Sequence, residues 1–418
     1  MTTRRHTLKT LAAMATVQIV PSRVLGLNGQ TPPSEILTKG IIGCGGISSS
    51  HLTMPGKLLA LCDVDKNHLA SRMRDAKADE NGVKGYHDFR ELIARDDIDI
   101  VHVATPPHWH ALMAIAAAKA GKDIWCEKPM SRTIGEGIAM VREVEKHERM
   151  FRINTWFRFQ GGFYGMRVPV VMLKKAVMND LLGWPLKVTV SAATGFDWKF
   201  QWSGRTDLTE QPVPEGFDYD FWLGPAPKKP YHPHRTHATF RGYWDYDGGG
   251  LGDMGQHYLD PVQYLLNKDD QAPISVEIDA DPQHHDAIGS WRRIEFTYAD
   301  GCKVVLDGEN KDKDAAYLEG PKGKIYAGFR SDIPDLRKKI DALPDPEPQL
   351  TDFHESVRTR KKFALNENNG FWSTTMLNMG ITAHRLNKNL RFDSKTLKFD
   401  DPEANALIHQ PMRDPWKV

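Results

Sequence analysis

From Ile36 onward, short apolar runs alternate with amphipathic stretches. Ile36 to Ile42, Leu58 to Cys62, Ile98 to Ala104, Asp123 to Cys126 and Met150 to Thr155 read as strands. Between them, His68 to Ala78, Asp88 to Arg95, His110 to Ala120 and Thr133 to His147 read as helices. This alternation predicts a parallel sheet with crossover helices, here a six-strand doubly wound plan. The connection Ser49 to Lys57 leaves room only for a brief first crossover helix, broken near Pro55-Gly56.

After Asn154 the pattern changes. Val168 to Leu182 predicts a helix and Leu186 to Ala193 a strand. Thr194 to Arg241 shows no period and is rich in aromatic, Pro and His residues; a loop this long in a compact domain is usually functional. Gly248 to Leu266 leads into an apolar helix. Ile274 to Ile278, Arg292 to Tyr298, Lys303 to Leu306 and Tyr317 to Tyr326 predict a mostly antiparallel set of strands. Asp300-Gly301 and Pro321-Lys322-Gly323 are its turns. Asp352 to Arg358 and Phe371 to Leu386 read as helices, and a polar arm from Asp400 ends on Pro415-Trp416. The expected divisions are 1–33, a signal and linker; 34–155, a nucleotide-binding domain; 156–399, a substrate and oligomerisation domain; and 400–418, the arm.

Composition narrows the function. The 418 residues are 40% hydrophobic and 26% charged, with net charge +1. Without a basic excess or a basic tract, no nucleic-acid partner and no electrostatic membrane partner is expected. Cys44, Cys62, Cys126 and Cys302 form no CxxC pair and read as small apolar fillers. Thr3-Arg4-Arg5-His6-Thr7-Leu8-Lys9, followed by a short apolar run from Thr10 to Val20, resembles a twin-arginine signal. The run is too short for a membrane span in the mature protein. It implies the twin-arginine export machinery as a partner and a periplasmic destination. A protein exported folded would acquire its cofactor in the cytoplasm and keep its cysteines unpaired.

Candidate chemistry collects at the ends of the predicted strands. Gly43-Cys-Gly45-Gly46-Ile47-Ser48 follows the first strand as a GxGxxG-like turn, with Ser48 in the last position. Asp63 lies twenty residues beyond Gly43, the spacing at which an acid binds adenosine ribose hydroxyls; an acid there favours NAD over NADP. Thr105, Pro106 and the motif Glu127-Lys128-Pro129 end two further strands. Ligands of such sheets bind outside the carboxyl ends of the strands, so Lys128 is expected beside the nicotinamide. His108 and His110 sit in a proline-fixed loop and suit cofactor-lining or helix-capping roles better than metal ligation. His232, His234 and His237 suit a solvent or substrate edge better than a metal, and no metal is expected. Asp253 and His257 are four residues apart and share a helix face, where a carboxylate can orient an imidazole for general acid–base work. From the long loop, Asp197, Trp198, His237 and Arg241 are candidate substrate contacts.

Taken together, Gly43-Cys-Gly45-Gly46, Cys62-Asp63, Ala104-Thr105-Pro106, Glu127-Lys128-Pro129 and Asp253-Met-Gly-Gln-His257 resemble the Gfo/Idh/MocA oxidoreductases, in particular an exported branch. The resemblance implies a Rossmann domain followed by an α/β domain whose open, largely antiparallel sheet forms a homo-oligomer interface. It implies an NAD-dependent oxidoreductase acting on a hydroxyl of a sugar, glycoside or polyol, with tightly held cofactor. Lys128 would polarise the hydroxyl, His257 would take its proton, and Asp253 would orient His257. Two other activities stay open: a redox-neutral, NAD-dependent glycosidase or lyase, and a non-catalytic NAD-binding regulator.

Overall fold

The computed structural model describes residues 36–155, 158–159, 164–194, 202–309 and 314–418. The signal-like start, Asp197 and Trp198 lie outside the described residues. The first domain runs β1 (Thr38–Ile42), α1 (Ser48–Thr53), β2 (Lys57–Cys62), α2 (Lys66–Asp75), α3 (Ala78–Asn81), β3 (Lys84–Tyr86), α4 (Phe89–Ile93), β4 (Ile100–Val103), α5 (Pro107–Lys119), β5 (Asp123–Cys126), α6 (Ile134–Lys146) and β6 (Phe151–Ile153). Its six strands lie in the order β3-β2-β1-β4-β5-β6, and every pairing is parallel. β4 and β5 are buried along their whole length because helices cover both faces.

Local chemistry sets the helix starts. α5 begins three residues before the expected His110, because Pro107 occupies its first turn, where a missing N–H costs nothing. His108 and His110 are therefore on a buried helix rather than in a loop. Asp65 caps α2, Asp88 caps α4, and Thr133 with Glu136 forms a capping box on α6. α1 is as brief as expected. Buried Lys39 reaches from β1 to the carbonyls of His51 and Leu52, at 2.7 and 3.3 Å, and of Met54, so a cation caps its C-terminus.

The second domain carries a nine-stranded sheet in the order β13-β12-β11-β7-β10-β9-β8-β14-β15. Its strands are β7 (Lys187–Val190), β8 (Ser275–Ala280), β9 (Trp291–Thr297), β10 (Lys303–Asp307), β11 (Leu318–Gly320), β12 (Gly323–Tyr326), β13 (Arg330–Ser331), β14 (Leu390–Asp393) and β15 (Lys398–Phe399). β7 and β10 pair in parallel and the other pairings are antiparallel. Two long helices, Gly249–Leu265 and Glu367–Leu386, pack together beside the sheet. A Cβ at Gly255 would lie 2.5 Å from Leu377 Cδ1, so the two helices approach closely here.

The described part of the long loop runs from Trp202. It includes a short helix at Tyr219–Leu223 and 3₁₀ turns at Pro233–Arg235 and His237–Gly242. It returns to the first domain, where Asp218 N donates to Val64 O at 3.0 Å and Lys66 N to Gly216 O at 2.9 Å. The C-terminal arm also docks: Trp416 lies against Trp109 and Phe221, with ring centroids 4.8 and 5.7 Å away. Among the described residues, no helix is long and apolar enough to cross a membrane.

Candidate active site

The glycine turn is built for close approach. Gly43 has φ +94°, and a Cβ there would sit 2.6 Å from Ala104 O. Cβ atoms at Gly45 or Gly46 would meet nothing within 4 Å, so these two face open space. Ser48, in the third-glycine position, closes the turn by donating its hydroxyl to Gly45 O at 2.6 Å. Asp63 accepts from Cys44 N at 2.6 Å and Asp65 N at 2.8 Å. Burial pushes its carboxyl up, against these amides, which favour the charged form.

A cavity of about 490 Å³ runs from Asp63 past Gly43, Gly45, Gly46 and Ile47 to Thr105 and Pro106. A second cavity, of about 420 Å³, adjoins it and contains Lys128, Asp253, His257, Asp247 and Glu127. Gly46, Ile47, Thr105, Trp202, Phe240 and Arg241 line both. His110 lines neither. Its ring nitrogens lie 2.7 Å from Pro129 O and 2.8 Å from Thr105 O, so it braces the two loops from behind. That corrects the expected cofactor-lining role.

Lys128 donates to Asp253 Oδ1 at 2.9 Å and to the Asp253 carbonyl. Arg241 Nε forms an ion pair with the same carboxylate oxygen at 2.8 Å. Burial alone would raise Asp253; the charges of Lys128 and Arg241 hold it well below the usual carboxylate range. His257 is buried, and its Nδ1 lies 2.9 Å from Thr155 Oγ1. Thr155, just past β6, thus contacts His257, and the Asp253 carboxylate contacts Lys128 and Arg241. Gln256 fixes the helix that carries both residues: its side-chain oxygen accepts from Met130 N at 2.9 Å, just past the Lys128 loop.

Glu127 continues inward. Its Oε1 accepts from Asn154 Nδ2 at 2.5 Å and lies 2.9 Å from His51 Nε2, while His51 Nδ1 lies 2.9 Å from His102 Nδ1. Burial raises the Glu127 carboxyl, but the hydrogen bond and charge of His51, then Lys128 and Asn154, more than offset it. A carboxylate can only accept, so His51 donates its Nε2–H to Glu127. Among the described residues, the buried His102 Nε2 has no hydrogen-bond partner. The chain ties α1, β4 and β5 together behind Lys128.

Sequence reasoning missed Asp247, Thr155 and Trp202. Asp247 accepts from Gly248 N at 2.7 Å, and burial pushes its carboxyl up to about 7. The available signal was an acid immediately before a glycine run. His237, expected at the substrate, instead lies at the Asp63 end of the groove. His232 caps a 3₁₀ turn and His234 meets the Tyr243 hydroxyl at 2.7 Å, so the three loop histidines do not converge.

Comparison with known families decides the lineage. Residues 37–155 match "Oxidoreductase family, NAD-binding Rossmann fold", and residues 166–418 match "Oxidoreductase family, C-terminal alpha/beta domain", the two Gfo/Idh/MocA domains. The chain belongs to the Gfo/Idh/MocA oxidoreductase family. Among its relatives, inositol 2-dehydrogenase of Salmonella typhimurium is 31% identical over 161 residues, 36% of this chain and 44% of that one. A glycosyl hydrolase family 109 protein of Solibacter usitatus is 33% identical over 167 residues, 35% of this chain and 37% of that one. The matches therefore span less than half the length of these curated relatives. Among solved structures, the WlbA dehydrogenase of Bordetella pertussis in complex with NADH and UDP-GlcNAcA superposes with TM-score 0.59 at 18% identity, covering 86% of this chain and 98% of that one. The aldose-aldose oxidoreductase of Caulobacter crescentus superposes with TM-score 0.53 at 19% identity, covering 85% and 100%. The first domain of this Gfo/Idh/MocA chain is an NAD-binding Rossmann domain, and the open glycine turn with Asp63 fits that nucleotide.

Proposed function

We propose that the protein oxidises a hydroxyl of a sugar, glycoside or polyol. One observation carries this reading. Lys128, Asp253 and His257 line a cavity that shares six residues with the nucleotide groove. NAD, when bound along Gly43, Gly45, Gly46, Ile47 and Asp63, supplies the hydride acceptor. The Lys128 ammonium, steadied by Asp253, offers a charged donor to the reacting hydroxyl and favours its ionised form. His257, turned by Thr155, receives the proton. Arg241 and Asp247 stand where neighbouring hydroxyls would bind, and Trp202, Phe240 and Met254 keep water out.

The twin-arginine-like start supports an exported protein that carries its NAD with it. The likeness to glycosyl hydrolase family 109 proteins favours a second reading, in which the same oxidation precedes elimination and re-reduction. To separate them, protein purified without added NAD is denatured and the released nucleotide assayed. Sugars and aryl glycosides are then screened for NADH formation and for glycone release. Near-stoichiometric nucleotide with NADH formation supports the captive oxidoreductase; glycone release without net NADH supports the redox-neutral reading. An empty protein that needs external NAD contradicts the captive cofactor.

A further inference from the structure

We infer that Asp65, His68 and His237 form a site for one divalent transition-metal ion of the zinc class, closing the Asp63 end of the cofactor groove. One ligand atom from each residue lies within 4.8 Å of the other two. Asp65 Oδ1 accepts from Asn67 N at 2.8 Å and His68 N at 3.4 Å, which fixes the carboxylate on the helix start. Its other oxygen, Oδ2, lies 3.4 Å from His237 Nε2. Ligand atoms on tetrahedral zinc, with bonds of about 2.0–2.2 Å, stand about 3.3 Å apart. The Asp65–His237 pair already has that spacing, and the His68 ring stands beside that of His237, with centroids 4.4 Å apart.

The two sides of the site come from different domains and are held together by backbone. Asp65 and Phe217 form an antiparallel bridge, and the Phe217 ring packs on His237 at 5.2 Å. His237 adopts φ 53°, a left-handed conformation that costs a non-glycine residue energy and that persists only where its surroundings enforce it. Two imidazoles and one carboxylate suit zinc better than calcium or magnesium, which prefer all-oxygen sets. Three protein ligands leave a fourth position for water. The ion would tie the turn carrying Phe240 and Arg241 to the β2–α2 connection. It would therefore slow the opening of the groove. Lys128 and His257 take no part, so the test stands apart from the proposed reaction.

The enzyme is stripped with chelator, both with and without NAD, then loaded with zinc and desalted, and its metal content is measured. One retained equivalent is expected. H68A and H237A are expected to lose it, with affinity falling by more than the ~10–100-fold typical of losing an outer partner. D65N keeps the helix cap, and with it the fold, but loses zinc. H285A, which removes an exposed histidine outside the site, retains it. Zinc should also slow NAD release from wild type and leave release from H237A unchanged. No retained zinc, or equal retention by wild type, H68A and H237A, would mean an adventitious ion only and would overturn the site.

Discussion

Asp247 is a buried carboxyl that lines the inner cavity. Burial pushes it up to about 7, against 3.8 for an exposed carboxyl. The folded protein therefore holds a proton that the unfolded chain releases between these values. The stabilising contribution is fully present below pH ~4 and is lost as pH rises through about 7. D247N removes this dependence. In thermal melts its stability relative to wild type should rise from pH ~4 to pH ~7 and then level off; a constant difference across that range would show that Asp247 is ionised throughout. Thr155 makes a second residue-scale prediction. T155V removes the hydroxyl at His257 Nδ1 while keeping the shape, and should lower kcat a few-fold, the worth of about 0.5–1.5 kcal/mol for one hydrogen bond. NAD affinity should be unchanged; a loss confined to NAD binding would show that Thr155 serves the nucleotide instead. Thr155 carries no signature in the sequence, and Asp247 only its place immediately before a glycine run. Asp253 and His257 were legible from their four-residue spacing, but spacing could not show that Lys128 and Arg241 would claim the Asp253 carboxylate.

At the scale of elements, the strands that read clearly were those covered on both faces. β1, β4 and β5 are buried over nearly their whole length, and that burial is what made them visible. β3, β13, β14 and β15 went unnamed because they are short, with polar or glycine residues among few apolar ones. The start of α5 was displaced because Pro107 reads as a breaker inside a helix yet is at home in its first turn. Lys39 belongs at this scale too. A lysine in a buried strand signals a specific partner, and here it holds the C-terminal carbonyls of α1. K39M keeps the apolar stem and removes the donor. It should lower unfolding stability by ~1–3 kcal/mol, the cost of buried unsatisfied carbonyls, read as a lower urea midpoint. An unchanged midpoint would show that water satisfies those carbonyls.

At the scale of the molecule, the site exists only because three distant segments meet. The first domain supplies Gly43, Asp63 and Lys128 at strand ends, the second supplies Asp253 and His257 on one long helix, and the loop brings Arg241 between them. The fold class, a parallel sheet followed by a mostly antiparallel one, was legible because each half has its own hydrophobic period. The folding of the loop onto the first domain was not, since it rests on backbone pairs such as Asp65 with Phe217, which leave no pattern in composition. The central claim is that Lys128 and His257 together drive oxidation of a sugar or polyol hydroxyl. Its most direct test is single-turnover NADH formation in NAD-loaded wild type, K128A and H257A across a panel of sugars and polyols. The account predicts NADH with at least one substrate in wild type, slowed by ~10²-fold or more in each variant while NAD stays bound. Wild-type rates in both variants, or no NADH from any member of the panel by NAD-loaded wild type, would contradict it.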